Sequence, residues 1–482
     1  MRLSLLALVS GALLPGALVA QSFSKLTPFA SNLDILVVDT TYDGVWRLSD
    51  RNQDGDFDDA GEVTTFYDDT QGSFVLTNPT CVAVAPDETV YVGDSTIDII
   101  LWMRDLNRDG DALDAGEHGL YFDSATNASL IAMPSIQSLT VDATGAVIVG
   151  NASTSSIGDD VVIRMSDGNA DGDANDAAEA LSYGIVQAFG VGALGDSIPT
   201  RVRVGPQGDL FYAEVGSTGA IPKGVYLMRD DVVVNGSCND PGEIRPYWLP
   251  SGGGNPFYWG LEVTNDGTLF LTDHGGERIW RGKDLNNDGQ IQQGPPEEIL
   301  YYQIPTGSTM WDVMTREDGA IIVAEDETPD RLMLYQDLDQ SGAIDQPNEI
   351  GTVYDASLAI HVIRPRGAAF LRRPTLVATP NPVRLGQTVT LSFAGGPGSA
   401  VGLFASIASL PAFPLPPYGD LELSPIGLVT VGVLGLNGAG AAALPIGIPI
   451  DPTLVGTIPL QSFELDPFRP HLSRRLDAQI RP

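Results

Sequence analysis

Lysine is almost absent from this 482-residue chain, which has three: Lys25, Lys223 and Lys283. Lysine and arginine together number 26 against 62 aspartates and glutamates, so the formal net charge is −36. A surface this acidic repels phosphate backbones and anionic bilayers, which argues against nucleic-acid partners and membrane insertion. Cysteine is scarcer still, with Cys81 and Cys238 alone. Two thiols cannot build a disulfide framework, and no pair of Cys-x-x-Cys knuckles is present to hold zinc. The four histidines leave few imidazoles for proton or metal chemistry. After the first twenty residues no apolar run could span a bilayer, since the apolar stretch 425–450 is broken by glycine and proline.

Glycine and proline are plentiful, at 54 and 34 residues, and so many turns imply mostly β structure. A hydrophobic content of 43% with 18% charge belongs to a folded chain rather than an acidic disordered one. The length allows about two to four domains. Arg2 followed by an apolar run to Ala20 reads as a secretory signal peptide over residues 1–20. Gly11, Pro15 and Gly16 interrupt that run and argue against a membrane anchor. The expectation is a secreted, extracytoplasmic protein.

An acidic segment recurs. Asp50-Arg-Asn-Gln-Asp-Gly-Asp-Phe-Asp-Asp-Ala-Gly-Glu62 returns as Asp105–Glu117 and as Asp167–Glu179, with weaker copies from Asp231, Asp284 and Asp337. The starts are 55, 62, 64, 53 and 53 residues apart. Each copy sits in one frame: an apolar strand, a turn, a second strand ending in a carboxylate or amide, a third strand, the acidic loop, a fourth strand. Four short strands per repeat predict an all-β fold, a six-bladed β-propeller over residues 21–374. The first repeat lacks an innermost strand, and a spare one around Ile360–Arg364 is expected to complete it and close the ring. Seven blades would follow if residues 360–373 formed a remnant of their own.

The order "apolar strand, Asp/Asn-Gly turn, Tyr-Val-x-Asp, strand" resembles NHL-repeat and gluconolactonase-like six-bladed propellers across residues 31–373. That resemblance implies a fold more than an activity. Composition changes at Arg372-Arg-Pro374. Residues 375–482 hold six acids and five arginines, a net −1, which leaves −36 − (−1) = −35 for the rest. This tail is expected to be one β-sandwich, and it looks like the Gly/Pro/Leu-rich C-terminal modules of some secreted bacterial proteins.

The acidic loops carry the clearest chemistry. Calcium takes about six to eight oxygens, and a loop with Asp, Asn, Asp, Gly and Asp at positions 1, 3, 5, 6 and 7 can supply several. Loops one to three offer Asp50, Asn52, Asp54, Asp56 and Glu62; Asp105, Asn107, Asp109, Asp111 and Glu117; and Asp167, Asn169, Asp171, Asp173 and Glu179. Loop five keeps Asp284, Asn286 and Asp288, while loops four and six lose ligand types at positions 3, 5 or 7. These resemble EF-hand calcium loops in motif, with glutamate at position 13 instead of 12. A plain Asp/Asn/Gly turn explains one such loop, but several copies of converging carboxylates would repel one another without a cation. The expectation is several structural calcium ions near the rim.

A feature of every repeat is scaffold, so function is sought in what does not repeat. Asp39, Asp94, Asn151, Glu214, Asp273 and Glu325 recur after the second strand and should hold turn amides. His274 is singular: Asn255-Pro-Phe-Tyr-Trp-Gly-Leu261 and Thr272-Asp-His-Gly275 are similar to elements of quinoprotein sugar dehydrogenases, where such a histidine acts as a base. Arg201, Arg203, Glu262, Trp311, Asp312 and His361 are also placed near a channel, with Arg201 facing Asp312 in an ion pair. Gluconolactonase-like enzymes hold a central cation with Glu, Asn and Asp, for which Glu262, Asn78 and Asp312 are loose counterparts. Two readings stay open: a secreted calcium-binding scaffold for a protein or carbohydrate ligand, or a propeller enzyme, either a metal-dependent lactonase or other hydrolase or a quinone-dependent sugar dehydrogenase. Weak catalytic candidates are His274, Glu262, Asp312 and Arg201, with Trp248, Tyr258 and Trp259 available to stack on a sugar.

Overall fold

The computed structural model describes residues 33–481 except 52–53, 86–87, 107–108, 143, 153–159, 186–197, 217–221, 253–254, 265, 306, 317–318, 327–328, 358–363, 373–374, 380–382, 395–398, 407–408, 415–419, 425–427, 437–440, 466–470 and 474–475. The expected signal segment 1–20, Asn52, Asn107 and His361 lie outside the described residues. Strand dominates, and the described residues contain only two short 3-10 turns, Pro347–Glu349 and Pro452–Leu454.

Among the described residues, six antiparallel sheets of four strands follow one another along the chain. In the second, Pro79–Val84, Val90–Asp94, Ile99–Met103 and His118–Asp123 pair in sequence order. The third to sixth sheets repeat this, with inner strands Ile136–Val141, Pro199–Val204, Tyr258–Val263 and Thr309–Thr315. The first sheet takes its inner strand from the other end of the region: Pro365–Arg372 pairs antiparallel with Leu33–Asp39. Most of the expected Ile360–Arg364 lies outside the described residues; the strand that follows, Pro365–Arg372, belongs to the first sheet instead of forming a remnant of its own.

The second strands explain themselves. Leu33–Asp39 is buried along its whole length, as are Leu210–Glu214 and Leu269–Asp273. A strand covered on both faces needs a continuous apolar run rather than alternation. The covering faces belong to neighbouring sheets. Val38, Val45 and Phe66 of the first sheet pack with Val82, Val92 and Leu101 of the second. Equivalent clusters join second to third, third to fourth, fourth to fifth, and fifth to sixth. The cycle closes where Ile35, Val37 and Trp46 meet Ile322, Leu332 and Tyr354 of the sixth sheet. Face-to-face stacking of twisted four-stranded sheets in a cycle is a propeller arrangement.

In the tail, Thr375–Thr379, Thr388–Ala394 and Ala441–Gly447 form one sheet. Gly456–Leu465 and Ala400–Ala405 lie at the centre of a larger one. Leu391 and Phe393 from the first sheet share a core with Leu403, Leu460 and Ile480 from the second.

Candidate metal loops and central channel

The acidic loops join third strands to fourth strands. Third-strand ends pair with second-strand starts, Leu48 with Ile35 and Met103 with Val90. The loops therefore project from the end of the sheets opposite to where the inner strands begin. Within each loop the position-1 aspartate caps the turn: the amide of the position-6 glycine donates to Asp50 Oδ2 (3.0 Å), Asp105 Oδ2 (3.1 Å), Asp167 Oδ2 (2.9 Å), Asp284 Oδ2 (2.9 Å) and Asp337 Oδ2 (2.8 Å). In loop four the cap is Asp230, bonded by Gly236 N–H at 2.7 Å, so that copy carries one extra residue between cap and glycine, and its later positions are counted from Asp231. Asp231 instead pairs with Arg245 at 2.9 Å.

One oxygen at positions 5 and 7 takes an amide inside the turn. Asp56 N–H donates to Asp54, Asp111 N–H to Asp109 and Asp173 N–H to Asp171, all at 3.3–3.4 Å. In loops one and six carboxylate oxygens converge. Asp54, Asp56 and Asp59 place carboxylate oxygens within 4.8 Å of one another, and so do Asp337, Asp339 and Glu349 in the sixth loop. In loop three the Asn169 amide donates to both Asp171 (3.0 Å) and Asp176 (2.6 Å). Position 10 thus joins the centre, which sequence reasoning missed. An all-oxygen set on a flexible loop fits a hard cation such as calcium. Burial, together with Asp109, Asp105 and Asp114 nearby, holds the Asp111 carboxyl above its ordinary pKa, and a cation would relieve this.

Glutamate 13 has a second duty. Glu179 Oε1 accepts from Gly168 and Asn169 amides and Oε2 from Asp176. Glu62, Glu243 and Glu349 make the same clip between the start and the end of their loops. Glu117 Oε1 accepts from Leu106, and in loop five Glu297, at position 14, does so from Leu285 and Asn286. For Glu349 burial pushes the pKa up, and four backbone amides outweigh it and hold the carboxyl below its ordinary value.

Position 8 carries the link between sheets. Its amide donates to the outer strand of the preceding sheet in all six loops: Phe57 to Val353 O, Ala112 to Phe66 O, Ala174 to Tyr121 O, Cys238 to Tyr183 O, Ile291 to Tyr247 O and Ile344 to Tyr301 O, at 2.6–2.8 Å. Each of these side chains is buried.

At the other end, the recurrent acids hold turns. Asp94 accepts from Thr77, Asn78, Thr96 and Ile97 amides, Asn151 from Ser135, Glu214 from Ile198, and Asp273 from Phe257 and Gly276. His274 is half-buried, with Nδ1 3.4 Å from Ser308 O.

The channel is crossed by an arginine network. Arg201 donates to Asp312 Oδ1 (3.1 Å), to Gln137 O, and to Trp311 O and Arg366 O (both 2.9 Å). Arg203 donates to Glu262 Oε2 (2.9 Å) and Asp312 Oδ1 (3.0 Å). Glu262 and Asp312 are thus brought together, but around two guanidinium groups. Asn78 precedes its inner strand and bonds Ser95 at 2.7 Å. A divalent cation on Glu262 and Asp312 would face both guanidiniums, so this pair does not fit a central metal. Trp259 and Trp311 lie against each other at a tilt, with centroids 4.8 Å apart. A cleft of about 680 Å³ at the seam of first and sixth sheets, lined by Asp56, Tyr302, Met333 and Thr352 among others, lies away from the channel.

No family model and no curated protein sequence matches the chain. Solved structures similar to it include PorZ, an essential surface component of the type-IX secretion system of Porphyromonas gingivalis (12% identity, TM-score 0.38). That match covers 91% of this chain and 56% of PorZ, so the chain spans little more than half of that protein's length. A streptogramin B lyase matches at 14% identity over 73% of this chain and 93% of its own, with TM-score 0.41. The calcium-binding protein regucalcin from Agrobacterium tumefaciens matches at 11% identity over 67% and 84%, with TM-score 0.39. Among the described residues no helix is long and apolar enough to cross a membrane.

Proposed function

We propose that this chain is a secreted six-bladed β-propeller of residues 21–374, released by cleavage after residue 20 and followed by a β-sandwich over residues 375–482. It acts outside the cytoplasm as a calcium-stapled binding scaffold. The observation that carries the reading is the position-8 bridge, repeated in all six loops, which fixes each acidic loop against the preceding sheet. An ion held by the carboxylates of positions 1, 5 and 7 and the amide oxygen of position 3 stiffens a loop and, through position 8, the seam beside it. It also offsets part of the charge of −35 outside the tail, and binding to the native state alone raises stability by mass action.

The enzyme reading loses its metal site to Arg201 and Arg203. Elemental analysis of the mature protein after dialysis against calcium tests the proposal. About three to four bound calcium ions are expected, in loops one, two, three and five. Chelation should lower the melting temperature by about 10 °C or more, given the summed contribution of several ions. A protein that retains no calcium, or melts identically in chelator, contradicts it.

A further inference from the structure

Every inner strand carries one bulge near its start. The register skips at Thr80, Gln137, Thr200, Trp259, Trp311 and Arg366. Bulges re-aim side chains and concentrate beside functional sites. The bulge repeats six times, but its side chains do not. Three are polar and already engaged: Thr80 Oγ1 donates to Ile136 O, Gln137 Nε2 to Ser135 Oγ, and Thr200 Oγ1 to Tyr258 O.

The other three stand on consecutive sheets. The Trp259 and Trp311 rings are tilted by 51°, and the Arg366 guanidinium lies 3.5 Å from the Trp311 ring centroid. All three are half-buried rather than closed off. Arg366 Nε is buried without a hydrogen-bond partner. Burial holds Arg366 below its ordinary pKa; Asp326 works against this, and Arg364 and Arg201 add to it. Among the described residues no carboxylate forms an ion pair with Arg366 or the exposed Arg364, in a chain with 62 acids. Arg201, which pairs with Asp312, donates to the carbonyls of Trp311 and Arg366 and so holds two of these backbones. The result is an aromatic pair with a cationic edge.

We propose that this cluster binds an acidic saccharide, with a sugar ring against Trp259 and its carboxylate on Arg366 and Arg364. Indole faces take the apolar face of a sugar ring, and a guanidinium takes a carboxylate with two parallel hydrogen bonds. A neutral sugar would leave the cations unmatched. A small inorganic anion would have no use for two indoles. The inference rests on the scaffold reading, for which it supplies the ligand.

The test is calorimetric titration of the full calcium-loaded chain with a glucuronate-containing trisaccharide, its carboxyl-reduced neutral counterpart, and benzoate, with tryptophan fluorescence in parallel. The acidic trisaccharide alone is expected to bind, with Kd below about 1 mM. Arg366→Gln and Trp259→Ala should each weaken it about tenfold or more without changing the melting temperature. If Arg366→Gln melts early, the exposed Arg364→Gln decides, and should weaken binding about threefold or more. The proposal is overturned by equal binding of the neutral sugar, by binding of benzoate alone, by no saccharide binding up to about 10 mM, or by indifference to the substitutions. Failure of the scaffold reading would show instead in the calcium stoichiometry, measured without saccharide.

Discussion

Arg201 shows how much one side chain can organise. It stands on the fourth sheet and donates to groups on the third, sixth and first. Its five donors leave in a fixed planar fork, which suits several acceptors at once. A lysine has the charge without the fork. Arg201→Lys should therefore leave carbonyls unmatched beside a buried Asp312, and destabilise the protein by about 3 kcal/mol in a denaturant titration. A loss under about 0.5 kcal/mol would mean that the network is decorative. Asp273 makes the opposite case. Burial raises its pKa, although Phe257 and Gly276 amides and Arg278 work the other way. The native state then binds more protons than the unfolded chain between the ordinary carboxylate value and the raised one. Its contribution to stability is full at low pH and fades as pH rises through that window. The matching position in the third sheet is Asn151, an acceptor without charge. Asp273→Asn is expected to raise stability by up to about 1 kcal/mol at pH 7 and to leave it unchanged near pH 3, as read by melting curves at both pH values.

The acidic loop is the element that repeats most visibly, and much of it was legible. Asp at position 1 and Gly at position 6 stand in a fixed relation because the glycine amide must reach the aspartate. The glycine adopts a left-handed φ, +96° at Gly55 and +101° at Gly172. A Cβ at Gly172 would touch nothing within 4 Å, so Gly172→Ala isolates the backbone cost. It should destabilise by about 1–2 kcal/mol and weaken calcium binding in loop three, measured by melting and titration together. The position-8 bridge was hidden, because an amide's partner on another sheet leaves no mark on spacing. Its side chain is fully buried in loop one, where Phe57 lies between the first and sixth sheets. Phe57→Ala should cost about 3–4 kcal/mol, and a value near that of a surface substitution would contradict the contact. The closing strand was hard to place on propensity, because Pro365, Gly367 and Ala368 are poor strand formers, yet they pair with Leu33–Asp39. The bulges were equally silent, since an extra residue does not interrupt an apolar run. Asp231 misled for a third reason: two adjacent aspartates offer two registers, and only the amide of Gly236 selects Asp230.

Across the whole molecule, the two ends divide the labour. Six acidic loops lie at one end and bind each sheet to the one before it. At the other end the inner strands begin, and there the aromatic and cationic residues gather above the Arg201 network. The cycle of sheets depends on its seams, and the seams depend on loops crowded with carboxylates. Calcium held in those loops would convert local charge repulsion into attachment between neighbours. Amide hydrogen exchange at Phe57, Ala112 and Ala174, with calcium and after chelation, tests this most directly. The account predicts that these position-8 amides lose protection by about a hundredfold or more on chelation, while second-strand amides such as Val37 and Val92 change far less. Unchanged exchange at position 8, or equal loss throughout the sheets, would contradict it.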